Sequence, residues 1–597
     1  MAGKVLELND LIDKDQMGCS IASQWVTWKN SRIERETLWE EVRRYIYATD
    51  TTFTSNGSLP WKNKTTVPKL CQIRDNLYAN YIAAMFPKRN WITWEGDTVD
   101  DELKQKRDAI ENYMNWAVER SQFRQVIESL LLDYIDYGRC FGIPIWVDQR
   151  VSSAEDGSGT KIGYVGPSIQ RLSPMDVVFN PIAPSVEQSP KIVRSFITVG
   201  EAAELLQRES VDEDVDAWKE IFNYLMNVRH NASSFEGELR VVDGYFQMDG
   251  FNSFREYLQS NYVEVLTFYG DLFDIENNQL LKNHVIMVMD RHKVVAKRPN
   301  TSLSGTDNIA SAGWRKRQDN LWSMGPLDNL VGMQYRIDHL ENMKADLFDL
   351  TTYPPLKIKG EVSDFTWAPL ERIYIGDNGD LELMSPDVQA LSVNLEIQQL
   401  EAKMEEMAGA PKEAMGFRTP GEKTAYEVQS LENGASRIFQ SKITQFEIEV
   451  VEPLLNGMLT LAKQKMDSST AVRVFNDDQK IITFNDLTAA DITGQGRIRP
   501  LAARHFAEKA EQIQNLSNFY QSAAGADPMV RNHFSSIGVA KMISDLLDLD
   551  RFNLVSENIR ILEQSQAQTL SNVAQEQAAN ATMTPAGLEP DDTDQDF

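Results

Sequence analysis

The sequence predicts an α+β protein in which helix predominates. Residues 20–145 read as mostly helical, with helical periodicity in 103–123 and 125–137, and apolar residues recur at three- and four-residue spacing in 326–350 and 386–409, the mark of helices that bury one stripe. Between these regions, residues 141–300 carry short runs of β-branched and aromatic residues separated by turn-forming sequence. The third sign is a helix, a break and a second helix: Gly409 and Pro411 stop one, and Thr419-Pro420-Gly421-Glu422 starts the next. Glycine takes the left-handed cap position and proline cannot continue the ladder. Threonine, a proline at the first helical position and glutamate then form a capping box.

In chain order, 21–47, 103–123 and 125–137 read as helices, the first rich in Glu, Arg and Trp. Runs 143–147, 162–165, 176–179, 239–248, 262–269 and 285–289 read as strands, and Gly/Ser-rich 152–160 as a hairpin tip. Residues 301–324 are polar and aperiodic, an expected exposed loop. A helix over 326–350 aligns Leu330, Met333, Ile337, Leu340, Leu347 and Leu350, interrupted by Lys344, and Tyr353-Pro354-Pro355 ends it. A small β insert follows, with Asp377-Asn378-Gly379 as a hairpin turn between 373–375 and 381–384. The next helix, 386–409, aligns Val393, Ile397, Leu400, Met404 and Met407. From 420 to 466 a helix of about 70 Å is expected, kinked near Pro453 and Gly457. Short strands at 472–475 and 480–484 precede a return to helix over 500–570. The tail beyond 582 has no Lys or Arg but carries Asp591, Asp592, Asp594 and Asp596, a composition of disorder.

A chain of 597 residues exceeds one core, so two to four domains are expected. Hydrophobic content of 42% and charged content of 25% suit a soluble globular protein. No apolar run approaches the roughly 18 residues that span a bilayer. Met1-Ala2-Gly3-Lys4 leads into polar sequence without an apolar signal region, so a cytosolic compartment is expected. Cys19, Cys71 and Cys140 have neither metal nor disulfide spacing and are expected to be buried, inert thiols. The net charge is −28, from 60 basic and 88 acidic residues. That balance argues against a broad grip on nucleic acid, which phosphate neutralisation would have to supply. An acidic wall beside DNA would instead prevent sticking; plain solubility explains the same charge.

Several candidate sites fail on detail. Gly416-Phe417-Arg418-Thr419-Pro420-Gly421-Glu422-Lys423-Thr424 is close to a phosphate-binding P-loop. Glu422, however, separates the second glycine from the lysine and opposes an anion, and the segment follows a helix instead of a strand. The capping box accounts for the same residues. Asp212-Glu213-Asp214-Val215-Asp216 begins like a calcium loop but has Ala217 where glycine belongs and Asn223 where glutamate belongs; an acidic helix start is the better reading. The six histidines, His230, His284, His292, His339, His505 and His533, share no metal spacing. No nucleophile elbow is present. Trp314-Arg315-Lys316-Arg317 offers cations beside an aromatic, as for nucleic acid, or else a solvated loop or a contact to an acidic neighbour. Residues 326–408 hold 16 acidic and 6 basic side chains, whereas 409–423 hold 3 basic (Lys412, Arg418, Lys423) and 2 acidic. An acidic two-helix stalk therefore ends in a loop with isolated cations.

The order of these elements resembles the portal, or head-to-tail connector, proteins of tailed bacteriophages. The residues that carry the resemblance are Gly409-Ala410-Pro411, the helix start Thr419-Pro420-Gly421-Glu422-Lys423-Thr424-Ala425, Asp491-Ile492-Thr493-Gly494, Arg499-Pro500 and Ala503-Arg504-His505-Phe506. The resemblance implies a portal fold with wing, stem, clip and crown, forming a dodecameric ring at one capsid vertex through which double-stranded DNA is packaged and ejected. It divides the chain into an α/β wing (1–325), a stem helix (326–350), a clip (351–385), a second stem helix (386–409) and a tunnel loop (410–419). A long kinked wing helix with closing strands (420–498), a helical crown (499–580) and an acidic tail (581–597) follow. Lys412, Arg418 and Lys423 would then face DNA. Lys357, Lys359, Trp367, Arg372 and Tyr374 of the clip would dock terminase and later the adaptor or tail proteins. Major capsid protein and scaffold are further implied partners. No membrane, catalytic residue, cofactor or metal is implied, since terminase supplies the ATP hydrolysis. The competing reading is a nucleotide-dependent packaging or remodelling enzyme that uses 416–424.

Overall fold

The computed structural model describes residues 16–47, 62–86, 91–96, 101–152, 160–209, 217–230, 256–257, 261–274, 278–300, 307–360, 362, 374–384, 393–408, 441–466, 470–476, 481–494 and 496–500. Among them 50% are helical and 27% are strand, an α+β composition in which helix exceeds strand. Among the described residues no helix is long and apolar enough to cross a membrane. The expected strand 239–248, the acidic run 212–216 and the helices of 500–570 lie outside the described residues. The chain divides into two compact units, Met1–Arg473 with Phe484–Arg504, and Val474–Thr483 with His505–Phe597. Nearly everything described belongs to the first; the second contributes the tips of β12 (Thr470–Asn476) and β13 (Ile481–Leu487), which pair.

The stretch 21–47 is two helices, α1 (Gln16–Asn30) and α2 (Ile33–Tyr47). They part at Arg32 because its guanidinium turns inward and donates to the carbonyls of Pro174 (2.7 Å), Met175 (2.5 Å) and Val177 (2.5 Å). These bonds satisfy a loop whose carbonyls would otherwise be buried unpaired. The helices α3 (Lys69–Met85), α4 (Asp101–Arg120) and α5 (Phe123–Asp136) follow, with β1 (Ile92–Gly96) between α3 and α4.

The largest sheet is antiparallel, in the order β4 (Val177–Phe179), β5 (Lys191–Thr198), β6 (Tyr262–Asp274), β7 (Gln279–Met289) and β8 (Lys293–Pro299). Side chains alternate across it, so each face finds its own cover. Leu266, Phe268, Ile286 and Val288 meet Ile21 and Trp25 of α1. Val263, Val265, Met287 and Met289 meet Ala202 and Leu206 of α6 (Val199–Glu209) and Leu225 of α7 (Ala217–His230). The β7–β8 turn places Asp290 and Arg291 in the left-handed region, at φ 49° and 64°. Buried ion pairs hold both: Arg229 donates to Asp290 at 2.7 Å and Arg291 to Glu264 at 2.7 Å, while the Tyr257 hydroxyl donates to Asp290.

A second sheet runs β3 (Thr160–Leu172), β2 (Arg139–Ser152) and β9 (Ala310–Gly313). The β2–β3 pairing reaches Ser152 opposite Thr160, as a hairpin requires. The existence of β9 corrects the expected exposed loop over 301–324. Ala310-Ser311-Ala312-Gly313 is buried throughout, as are Trp314 and Trp322. The small side chains hide the segment from an apolar count, yet they are what lets it press on its neighbours. A Cβ on Gly313 would collide with the Ser323 side chain. Trp322 stacks on Phe179 at 4.5 Å between centroids and joins the two sheets with Trp39 and Phe141.

The described part of the long helix runs from 441, passes through a π turn at Glu447–Val451 and continues as α10 (Glu452–Lys465). Pro453 lacks an amide hydrogen and its ring crowds the carbonyl four residues earlier, so the wider π turn sits where the sequence predicts a kink. Gly457 serves close packing instead, for a Cβ there would lie 2.6 Å from Pro144 Cγ on β2. Gly457→Val is expected to cost about 1–3 kcal/mol by overpacking, measured by urea denaturation; an unchanged midpoint would show that α10 has room to shift. Asn456 clasps β14 (Gly496–Pro500), accepting from Ile498 N at 2.8 Å and donating to Ile498 O at 3.2 Å. β14 in turn pairs with β1, so Arg499 and Pro500 belong to this sheet.

Candidate functional site

The stalk expected from sequence is built from α8 (Val331–Thr352) and α9 (Asn394–Ala408). α8 starts later than 326 because Asp328 accepts from Gly325 N at 2.7 Å and pairs with Arg35, which turns the chain before the helix begins. Residues 385–392 lie outside the described residues. The predicted stripes hold in the middle of the stalk, while the last turns of α8 and of α9 leave them uncovered. Leu330, Ile337, Leu340, Ile397 and Met404 are buried, whereas Leu350 and Met407 are exposed. In place of Met407, Glu405 is buried, in an ion pair of 2.6 Å with Lys69 of α3.

Sequence reasoning missed the polar side of α8. Gln334, Asp338, Asn342 and Asp346 repeat every four residues and so form one line along the helix. That line receives residues 62–68 and the first turn of α3. Asp346 accepts from Lys62 N (2.8 Å) and Asn63 N (2.9 Å), and Asn342 accepts from Thr65 N (2.8 Å) and donates to Thr65 O (2.9 Å). Asp338 accepts from Val67 N (3.0 Å), and Gln334 donates to Val67 O (2.6 Å) and accepts from Leu70 N (3.2 Å). The four-residue polar spacing was the available signal.

The tip is a two-stranded hairpin, β10 (Leu356–Lys359) and β11 (Asp380–Leu383), which corrects the expected pairing of 373–375 with 381–384. The turn at Asp377-Asn378 is present, closed by Gly379 N donating to Gly376 O at 2.9 Å, but the chain after it pairs with 356–359. Matched alternation and opposite charges favour that partner: Lys357 lies opposite Glu382, with a 2.9 Å ion pair, and Lys359 opposite Asp380. Ile375 instead bridges to Val362. Gly360 (φ +81°) ends β10 against the Asn378 backbone, where a Cβ would not fit. Tyr374 is exposed, and Trp367 and Arg372 lie outside the described residues.

Lys412, Arg418 and Lys423, and with them the whole of 416–424, also lie outside the described residues; the nearest described element before them is the helix α9. Of the Trp314–Arg317 cluster only the indole turns inward; Arg315, Lys316 and Arg317 are exposed. Trp314 is buried, Lys316 pairs with Glu449 at 2.5 Å, and Arg317 pairs with Asp319. Two of the three exposed cations are thus paired with carboxylates. Of the three cysteines only Cys140 is buried, its thiol pushed up to about 12 by burial, while Cys19 and Cys71 are half-exposed. In Asp491-Ile492-Thr493-Gly494, Asp491 accepts from Thr488 N at 2.8 Å and from its hydroxyl at 2.7 Å. Ile492 is buried, and Gly494 leaves room for the Trp94 ring. Among the described residues no three His, Cys, Asp or Glu side chains gather as a metal site.

The surface that stands out is apolar. Of 19 exposed large hydrophobic side chains among the described residues, 11 fall between Tyr335 and Met407, on the stalk and its hairpin. Single exposed apolar residues are ordinary, so it is their concentration in this part of the chain that distinguishes it. No protein-family model matches the chain, and no curated protein matches it.

Proposed function

We propose that the chain is the subunit of a portal ring, a non-enzymatic channel at one capsid vertex through which double-stranded DNA enters and leaves a phage head. The observation that carries this reading is the concentration of uncovered apolar side chains on α8, α9 and the β10–β11 hairpin. A stalk of this composition is stable in water when neighbouring copies cover it, as a ring provides. The acidic balance of 326–408 supports the same reading, since DNA slides past a wall that repels it. In this scheme 326–350 and 386–409 are stem helices, 351–385 is the clip that meets terminase and then adaptor or tail proteins, and 410–419 is the tunnel loop. The wing faces capsid protein and scaffold, and the ring is a dodecamer assembled in the host cytoplasm and carried in the virion.

Native mass together with class-averaged electron images tests the proposal. A twelve-fold ring with a central hole is the expected result, and a monomer at micromolar concentration would overturn it. Within this reading Lys412 and Arg418 touch phosphates transiently. Lys412→Ala with Arg418→Ala is expected to reduce packaged DNA or its retention several-fold while leaving the ring intact. Unchanged packaging and retention would remove these two side chains from the mechanism. ATP hydrolysis by the purified chain, abolished by Lys423→Ala, would point to the nucleotide enzyme instead.

A further inference from the structure

The β10–β11 hairpin has two unlike faces and two unlike rows. Leu356, Ile358, Leu381 and Leu383 share one face, and Ile358 and Leu383 are more than half exposed. On the other face Lys357 and Lys359 form a row along β10, beside a row of Glu382 and Asp380 along β11. Among the described residues neither strand has a partner on its outer edge. A two-stranded sheet with an uncovered apolar face is marginal alone, and open edges invite a further strand.

We propose that the hairpin is joined edge to edge with the hairpin of a second copy, β10 of one beside β11 of the next. Charge selects this arrangement over its rivals. A two-fold contact through β10 would set lysine against lysine, and one through β11 would set carboxylate against carboxylate. The β10-to-β11 contact sets every lysine beside a carboxylate. It also keeps the extended sheet antiparallel throughout and makes the apolar face continuous from copy to copy. Because the contact is head to tail, it leads to a ring or a filament and excludes a closed two-fold dimer. The inference rests on the ring reading and adds which surface joins and with what polarity.

Two full-length variants test it. K357E/K359E makes both rows acidic, and D380K/E382K makes both rows basic. Each variant loses opposite charge within its own hairpin and also between copies. In a one-to-one mixture only the contacts between copies regain it. Each variant alone is expected to self-associate roughly ten-fold more weakly than the unmodified chain in sedimentation at about 0.15 M salt. The mixture is expected to recover assemblies that contain both chains. An unmodified chain that assembles, with a mixture no better than its parts, overturns the edge contact and leaves the ring. An unmodified chain that stays monomeric overturns both. Should limited proteolysis show either variant to be misfolded, single cysteines on the hairpin decide, introduced into a chain in which the half-exposed Cys19 and Cys71 are replaced by serine. K357C chains mixed with E382C chains are expected to join each other through a short bismaleimide in preference to themselves, and an excess of K357C homodimers overturns the proposal.

Discussion

Asp290→Ala is expected to lower the free energy of unfolding by about 3–5 kcal/mol, because it takes away the carboxylate that the buried Arg229 guanidinium faces. The effect is larger than that of a surface ion pair, for which the loss would stay below about 1 kcal/mol. Both side chains are almost fully enclosed, and the Tyr257 hydroxyl donates to the same carboxylate. A second cost adds to the first. Turns of this hand prefer Asn-Gly or Asp-Gly, and here the second position is Arg291, kept in place by Glu264. Asp290→Asn retains a side chain that tolerates the left-handed backbone, and it is expected to cost less than alanine. Chemical denaturation followed by tryptophan fluorescence reads both values. A change under about 1 kcal/mol for Asp290→Ala would mean that the charges are solvated.

Trp322→Ala is expected to cost about 3–5 kcal/mol by leaving a cavity. The indole lies between Phe179 of one sheet and Phe141 of the other, with the Arg32 guanidinium over its ring at 5.2 Å. Its loss is expected to loosen both sheets together, so hydrogen exchange should rise in β4 and in β2. Protection lost in one sheet alone would show that Trp322 does not join them.

The same residue shows where the sequence is hard to read. Trp322 lies in a stretch with little apolar periodicity, and β9 is made of alanine, serine and glycine. Such a strand is visible only through what it touches. Elements with ordinary patterning were legible: the helical periodicity of α4 and α5, the β-forming runs of β6 and β7, the proline that disturbs the long helix. The candidate surface was legible in outline, since an acidic stalk with a small β insert follows from charge and periodicity. The hairpin partner was not, because Asp377-Asn378-Gly379 looks like a local hairpin while the pairing is decided by Lys357 and Lys359, some twenty residues away. The buried Lys69–Glu405 pair was hidden for a similar reason, since neither residue announces a partner more than three hundred positions distant.

The track along α8 has a consequence for how this chain can vary. Thr65 and Val67 are held there by their peptide groups, and every residue but proline offers the same N–H and C=O. The tether is therefore blind to the letters at 65 and 67. Its tolerance is one-sided, for Gln334, Asp338 and Asn342 read the peptide with their side chains. Drift should accumulate at the guest's positions while the host's stay fixed, a pattern that a saturation library of the two segments would display directly.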